Sequence, residues 1–114
     1  MIKSFANAFR GIGLLIRSER NFQIHCVALL FVVTLGLIFN IGSYEWVILL
    51  GAAALVLSLE AVNSSLEKLC DEVTEERKES IRNIKDIAAG AVLIAALFSV
   101  VIACLIFWPY FLYL

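Results

Sequence analysis

Three long stretches without a charged side chain constrain the fold of this chain more than any other feature. They cover residues 26–39, 46–59 and 87–114. A helix needs about 20 predominantly apolar residues to cross a bilayer, and the first two stretches reach that length once flanking residues are counted. Hydrophobic residues make up 62% of the 114-residue chain, against about 45–50% in an average soluble domain. The sequence therefore predicts an all-α membrane protein, one domain over 1–114 with spans at 22–41, 46–67 and 87–112.

The first 18 residues have the pattern of an amphipathic helix. Apolar side chains recur at steps of three and four, and basic side chains recur every seven residues on another face: Ile2, Phe5, Phe9, Ile12 and Ile16 against Lys3, Arg10 and Arg17. A basic polar face opposite an aromatic apolar face suits a helix that lies on the membrane surface. We therefore expect a surface helix over 1–18; a solvated helix packed on its own protein is the alternative.

The distribution of positive charge predicts the orientation of the spans. All nine Lys and Arg residues lie in 3–20 and 68–85, and the short connection 40–46 has none. Basic residues favour the cytoplasmic side, so we expect both basic segments, including the polar segment 68–86, in the cytoplasm. In that segment the Glu75/Glu79 and Arg82/Asp86 spacings predict that helix continues beyond the membrane. We expect Gly42 to break the helix in the outer connection.

Polar side chains form a stripe where the second span ends. At about 100° per residue, positions i, i+3, i+4, i+7 and i+11 share one helix face, and here they are Glu60, Asn63, Ser64, Glu67 and Asp71. We call this set the polar stripe. Glu60 falls near the inner edge of the bilayer, where an ionisable side chain is costly and indicates a functional site. Glu19 precedes the first span at the same boundary.

The polar stripe is compatible with three kinds of chemistry. Carboxylates with lysines nearby suit Mg²⁺ bound between protein and phosphate oxygens, although the chain has neither a phosphate-binding P-loop nor a kinase glycine-rich loop. Buried carboxylates also suit a proton or ion pathway, and a structural polar seam is the third alternative. For His25 we favour a hydrogen bond between helices over metal binding. The three cysteines fit neither a zinc pattern nor a disulfide framework.

Several sequence stretches together resemble one family. They are Glu60-Ala-Val-Asn-Ser-Ser-Leu-Glu67, with Asp71 one turn on, then Lys85-Asp-Ile-Ala-Ala-Gly-Ala-Val92, Ala8-Phe-Arg-Gly11 and Glu19-Arg-Asn-Phe-Gln-Ile-His25. They resemble the small bacterial membrane lipid kinases, the diacylglycerol kinase and undecaprenol kinase family, over nearly the whole chain. The resemblance implies a multi-pass protein of the bacterial inner membrane with an amino-terminal surface helix. It also implies a homotrimer, with sites at the cytoplasmic boundary between subunits.

The resemblance also implies roles for individual residues. Glu60 would be the general base that takes a proton from the lipid hydroxyl, and Asn63 would orient groups beside it. The Mg²⁺ ligands would be Glu19 and Glu67. The site for the substrate ATP would include these two residues with Glu76, Arg77, Lys78, Lys85 and Asp86. Asn7 departs from the family pattern, because the diacylglycerol kinases have an aromatic nucleotide contact there.

The motif at the first span indicates which lipid is the preferred substrate. The wording Glu-Arg-Asn-Phe-x-Ile-His is more similar to the undecaprenol branch, whereas the diacylglycerol branch tends to have a second carboxylate in place of His25. We therefore expect ATP-dependent phosphorylation of undecaprenol to undecaprenyl phosphate, with diacylglycerol as the alternative substrate. A small proton-conducting or regulatory membrane protein, using Glu60 and Glu67 as relay groups, is the alternative from another class. No nucleic-acid partner is expected, because the chain has no basic domain.

Overall fold

The computed structural model describes residues 1–76 and 78–114, and within them every regular element is a helix. The helices are α1 (Ile2–Ser18), α2 (Arg20–Phe39), α3 (Ser43–Val73) and α4 (Glu79–Leu112). α2, α3 and α4 are long and apolar enough to cross a membrane. The predicted all-α membrane fold, an amphipathic helix followed by three apolar helices, is confirmed. The homotrimer stays a prediction.

A single residue separates α1 from α2. Glu19 has an extended backbone (φ −102°, ψ 105°), and its N–H donates to the Leu15 carbonyl at 3.0 Å. The Gln23 side chain, one turn into α2, donates from Nε2 to the Ile16 carbonyl at 2.7 Å. α1 itself has no buried residue, and its apolar stripe is exposed. The two bonds tie the end of α1 to the start of α2 and fix Glu19 at the corner.

A short turn joins α2 to α3 at the end of the bundle that the charge distribution predicts to face away from the cytoplasm; we call it the outer end. Asn40 has a left-handed backbone (φ 51°), and the Ile41 N–H donates to the Gly36 carbonyl at 3.1 Å. Gly42, which we expected to break the helix, has an ordinary φ of −73° and precedes the first residue of α3. Gly42 lies in the break between the two helices, as expected, while the left-handed position belongs to Asn40, since asparagine also tolerates that region.

The apolar core lies near the outer end of the bundle. Ile41, Leu49, Ile106 and Phe107 form its buried cluster. α3 packs along α4, and α2 packs against α3 over a smaller area. α4 stays helical through Pro109 to Leu112. The outer end is thus held together mainly by apolar contacts, and the opposite end, which we call the inner end, carries the polar stripe and residues 68–86.

α3 and α4 are longer than a bilayer requires. They have 31 and 34 residues, which at about 1.5 Å per residue exceeds a hydrocarbon core of about 30 Å. Their excess length carries the inner end of α3 and the start of α4 out of the apolar region. Between them the chain leaves the helix at Thr74 (φ −162°, ψ 143°). The predicted helix continuation across Glu75 and Glu79 is therefore wrong, because α4 begins only at Glu79.

Candidate functional site

The polar stripe begins inside the protein. Glu60, Asn63 and Ser64 are only 3%, 5% and 4% exposed, and they are the buried polar side chains of residues 1–76 and 78–114. Glu67 and Asp71, further along the same face of α3, are exposed. Burial of an ionisable or amide group is unfavourable unless partners compensate it. The stripe therefore runs from a dry, costly position at Glu60 to the aqueous end of α3.

Glu19 reaches the polar stripe from the corner between α1 and α2. Its Oε2 accepts a hydrogen bond from Ser64 Oγ at 3.4 Å. Its Oε1 lies 3.1 Å from Lys68 Nζ. Both oxygens of Glu19 are thus engaged by side chains of α3. The sequence placed Glu19 and the polar stripe at the same membrane boundary, because each lies at the end of a predicted span. The structure shows that the two are in direct contact.

Asn63 has one half of its amide without a partner. Its Nδ2 donates to Glu67 Oε1 at 3.5 Å. Its Oδ1 is buried and has no hydrogen-bond partner among the residues that the structure describes. An unsatisfied buried acceptor typically costs about 1–3 kcal/mol. This acceptor, three residues from Glu60, is therefore a ready position for a hydroxyl group or a cation.

The surroundings of Glu60 include groups from two helices. The Glu60 carboxyl lies within electrostatic range of His25 on α2 and of Glu19 and Glu67. His25 makes no hydrogen bond within the described part of the chain, so the interhelical bond expected for it is not found there. It lines an apolar cavity of about 230 Å³ between α2, α3 and α4. His25 thus lines an apolar recess between the three helices and lies within electrostatic range of the Glu60 carboxyl.

A larger cleft of about 980 Å³ opens where α3 ends and α4 begins. Four of the residues predicted to hold a nucleotide line this one cleft, together with polar-stripe residue Asp71: they are Glu76, Lys78, Lys85 and Asp86. Arg77, predicted for the same role, lies outside the described residues. The cleft has the size of known ligand pockets, about 300–1,000 Å³. It therefore has room for a molecule as large as a nucleotide.

Ion pairs connect the cleft to the polar stripe. Lys85 Nζ on α4 lies 2.6 Å from Asp71 Oδ1 on α3. Asp86 is paired along its own helix with Arg82, whose Nε is 3.8 Å from Asp86 Oδ2. Lys78 Nζ is 4.0 Å from Glu76 Oε2. Among these pairs only Lys85–Asp71 crosses between helices, and it joins the start of α4 to the end of the polar stripe, where the two helices already pack along each other.

The carboxylates predicted to bind Mg²⁺, those of Glu19 and Glu67, are compatible with a site that other oxygen ligands complete. Among residues 1–76 and 78–114, no group of three or more His, Cys, Asp or Glu side chains is placed to hold a metal ion. Mg²⁺ usually takes one or two carboxylates and fills its remaining positions with phosphate oxygens and water. Glu19 and Glu67 contact adjacent stripe residues, Ser64 and Asn63. The free Asn63 Oδ1 adds an oxygen of the kind that Mg²⁺ prefers.

Sequence reasoning missed Lys68. Helical periodicity puts it one turn after Ser64, at the edge of the polar stripe, but no local spacing connects it with Glu19, which it contacts in the structure. The contact depends on how the corner after α1 packs against α3. That packing leaves no periodic signal in the sequence.

Comparison with known proteins gives consistent results. A sequence model of the family described as prokaryotic diacylglycerol kinase matches residues 6–107. The undecaprenol kinase of Bacillus subtilis is 38% identical over 107 residues, which cover 94% of this chain and 87% of that protein. The diacylglycerol kinase of Escherichia coli K12 is 28% identical over 111 residues, covering 97% and 91%. That of Synechocystis is 32% identical over 111 residues, covering 96% of this chain and 63% of its own length.

Proposed function

The chain belongs to the prokaryotic diacylglycerol kinase family and is a lipid kinase, and on this premise we propose that it transfers the γ-phosphoryl group of ATP to the hydroxyl of undecaprenol. The similarity to an undecaprenol kinase over most of both chains supports that alcohol. Diacylglycerol is the second candidate, because other relatives carry the name diacylglycerol kinase. Membership of a kinase family decides against the proton pathway and the structural seam that helical spacing left open.

The single observation that carries the proposal is the gradient of exposure along the polar stripe. Glu60 is 3% exposed, and Val56 and Leu57, one turn before it on α3, line an apolar cavity together with His25. Asp71, at the other end of the stripe, lines the large polar cleft. A lipid kinase must bring a membrane-embedded hydroxyl to a water-soluble nucleotide. A stripe that joins an apolar interior to a polar cleft suits that task.

Glu60 is proposed as the general base. The lipid hydroxyl oxygen forms a bond to the γ-phosphorus, the bond from that phosphorus to the bridging oxygen of ATP breaks, and ADP leaves. The hydroxyl proton passes to the Glu60 carboxylate. Asn63 is proposed to orient groups beside Glu60, and its Oδ1, which is buried and free of partners in the described chain, is available to a donor or a cation bound there.

The nucleotide is proposed to bind in the cleft between the end of α3 and the start of α4. Lys78 and Lys85 line it and supply positive charge for the phosphates; Glu76 and Asp86 form its acidic edge, and Arg77 belongs to the same segment. Glu19 and Glu67 would hold Mg²⁺, which when bound neutralises charge on the transferring phosphoryl group. The pair between Lys85 and Asp71 keeps the cleft next to the polar stripe.

We also propose a bacterial inner-membrane location with the site on the cytoplasmic side. The support is the absence of Lys and Arg from the connection 40–46 and their concentration in 3–20 and 68–85. A homotrimer is proposed as the assembly. The long helices bury few of their apolar side chains within one chain and expose many large ones, such as Phe31, Leu97 and Phe98. These faces are available for lipid and for further copies of the chain.

The proposal is tested by transfer of radiolabelled phosphate from ATP in mixed micelles with Mg²⁺. Undecaprenol and diacylglycerol are compared side by side at equal mole fraction. We expect both the lipid and the metal to be required and undecaprenol to be phosphorylated faster. Faster phosphorylation of diacylglycerol would establish the second candidate. Absence of transfer to either alcohol by a folded protein would overturn the proposed function.

A further inference from the structure

The carboxylate of Glu19 is held by α3 at both of its oxygens. Ser64, which is buried, donates to one oxygen at 3.4 Å. The ammonium of Lys68 lies 3.1 Å from the other oxygen. The Lys68 side chain is 62% exposed, whereas that of Glu19 is 23% exposed. The mostly buried carboxylate of Glu19 is therefore paired with the ammonium of Lys68, whose side chain approaches it from the solvent.

Lys68 differs from the other paired lysines of the inner end. Lys78 and Lys85 pair with Glu76 and Asp71 in the nucleotide cleft. Lys68 instead pairs with a carboxylate to which we assign a metal ion. An ammonium at contact distance occupies acceptor positions of that carboxylate, and its charge repels a second cation at the same oxygen. Lys68 and a divalent metal ion thus exclude each other at Glu19.

We propose that Lys68 is a resident counter-ion of Glu19 that competes with the divalent metal ion for this carboxylate. The inference rests on the proposed metal role of Glu19. In the metal-free protein Lys68 neutralises Glu19 and keeps the corner after α1 on α3. When the metal ion binds, the ammonium moves into water, which costs little because the side chain is already largely exposed.

The expected size of the effect follows from the exposure of the pair. Solvent-exposed ion pairs contribute little, and their loss corresponds to roughly a two- to fivefold change in an equilibrium constant. Removal of the Lys68 charge should therefore tighten metal binding by about that factor. A residue that merely orients Glu19 for the metal would have the opposite effect, because its loss would weaken binding.

The experiment measures metal binding directly, without turnover. Mn²⁺ is titrated into the nucleotide-free protein in detergent micelles, and free Mn²⁺ is followed by electron paramagnetic resonance. The variants are Lys68→Gln, Lys68→Arg and Lys3→Gln. Lys3 is a matched control because it is exposed and its loss changes net charge equally. We expect Lys68→Gln to lower the Mn²⁺ dissociation constant about two- to fivefold, and the other two to match the wild type.

A double variant separates this proposal from the metal assignment. When Glu19→Gln is present, Lys68→Gln should have no further effect on Mn²⁺ binding. Unchanged or weaker Mn²⁺ binding by the folded Lys68→Gln protein would overturn the counter-ion proposal, as would absence of Mn²⁺ binding by the nucleotide-free wild type. Lipid phosphorylation would still uphold the proposed function in each of these cases. Glu19→Gln without effect on Mn²⁺ binding would instead remove Glu19 from the metal site, and the counter-ion proposal with it.

Discussion

At the residue scale, the burial of Glu60 sets the chemistry that this chain can perform. A carboxylate that is 3% exposed has lost most of its hydration. The free-energy cost of this desolvation is usually found where the group has a binding partner or a function. Asn63, one turn away, leaves its carbonyl oxygen free. In the proposed mechanism Glu60 is the base and Asn63 orients the groups beside it, and both side chains are largely shielded from solvent. That is the environment in which a lipid hydroxyl can be activated without competition from water.

Glu60→Gln should therefore abolish most turnover while leaving the fold intact. The amide has nearly the same shape as the carboxyl but cannot take the proton, and loss of a general base typically costs about 10² to 10⁴ in rate. The measurement is the initial rate of lipid phosphorylation, with circular dichroism as the check on folding. Glu72→Gln is the control, because Glu72 is an exposed carboxylate on the same helix and should keep its activity. A well-folded Glu60→Gln protein with near-normal rate would remove Glu60 from the role of base.

Residue positions on one helix were predictable, and contacts between segments were not. The period of the helix put Glu60, Asn63 and Ser64 on one face, and the structure buries all three. The free Asn63 oxygen depends on which neighbours the amide meets after packing. The contact of Lys68 with Glu19 depends on the corner after α1. Neither depends on local spacing, so the sequence carried no signal for them.

At the element scale, the charge-free stretches determined the helices but not their ends. The helix predicted over 1–18 is present as α1 (Ile2–Ser18), and its location on the membrane surface stays a prediction. Where a helix ends depends on local hydrogen bonds of single residues, and the hydrophobic periodicity of the sequence carries no information about these bonds. The Glu76 N–H donates to Thr74 Oγ1 at 3.0 Å, and this local bond accompanies the break that the charge spacing failed to predict. At the outer turn the left-handed residue is Asn40, two residues before Gly42, where we expected the break.

The turn between α2 and α3 depends on a close approach of Gly36 to Trp46. A Cβ atom added to Gly36 would lie 2.6 Å from the Trp46 ring. Gly36→Ala should therefore destabilise the protein by about 1–3 kcal/mol, the usual cost of overpacking, because the indole must move. The measurement is the unfolding midpoint in detergent micelles. Gly51→Ala is the control, since a Cβ there meets nothing within 4 Å; equal midpoints for the two variants would contradict the prediction.

A second prediction at this scale concerns the role of the amino-terminal helix α1 in access of the lipid substrate. The apolar stripe of α1 is exposed, and we interpret it as membrane-facing cover for the lipid entrance. Deletion of residues 1–18 should leave the three long helices inserted, since none of them includes a deleted residue. It should raise the apparent KM for the lipid alcohol more than that for ATP, measured after reconstitution in bilayers. Equal loss for both substrates, or no loss, would mean that α1 serves folding rather than access of the lipid.

At the scale of the whole molecule, the two ends of the bundle have opposite character. The outer end holds the apolar cluster of Leu49, Ile106 and Phe107, and there Tyr110 donates a hydrogen bond to Glu45. The inner end holds the polar stripe, the large cleft and all of the ion pairs found in the described chain. The formal net charge of only −1 does not show this difference between the ends, because positive and negative side chains at the inner end nearly cancel. Because the bundle spans the membrane from one end to the other, all parts of the candidate site lie on the same side of the membrane.

This polarity predicts the topology of the chain in the membrane. In a background with the three cysteines replaced by alanine, Ser43→Cys marks the outer turn and Glu72→Cys marks the inner end of α3; both positions are exposed. Because basic segments stay in the cytoplasm, a membrane-impermeant maleimide added to spheroplasts should label Ser43→Cys at once. It should label Glu72→Cys only after the membrane is permeabilised. The reverse pattern would put the cleft on the outer side, away from cytoplasmic ATP, and would contradict both the topology and the proposed access of the nucleotide.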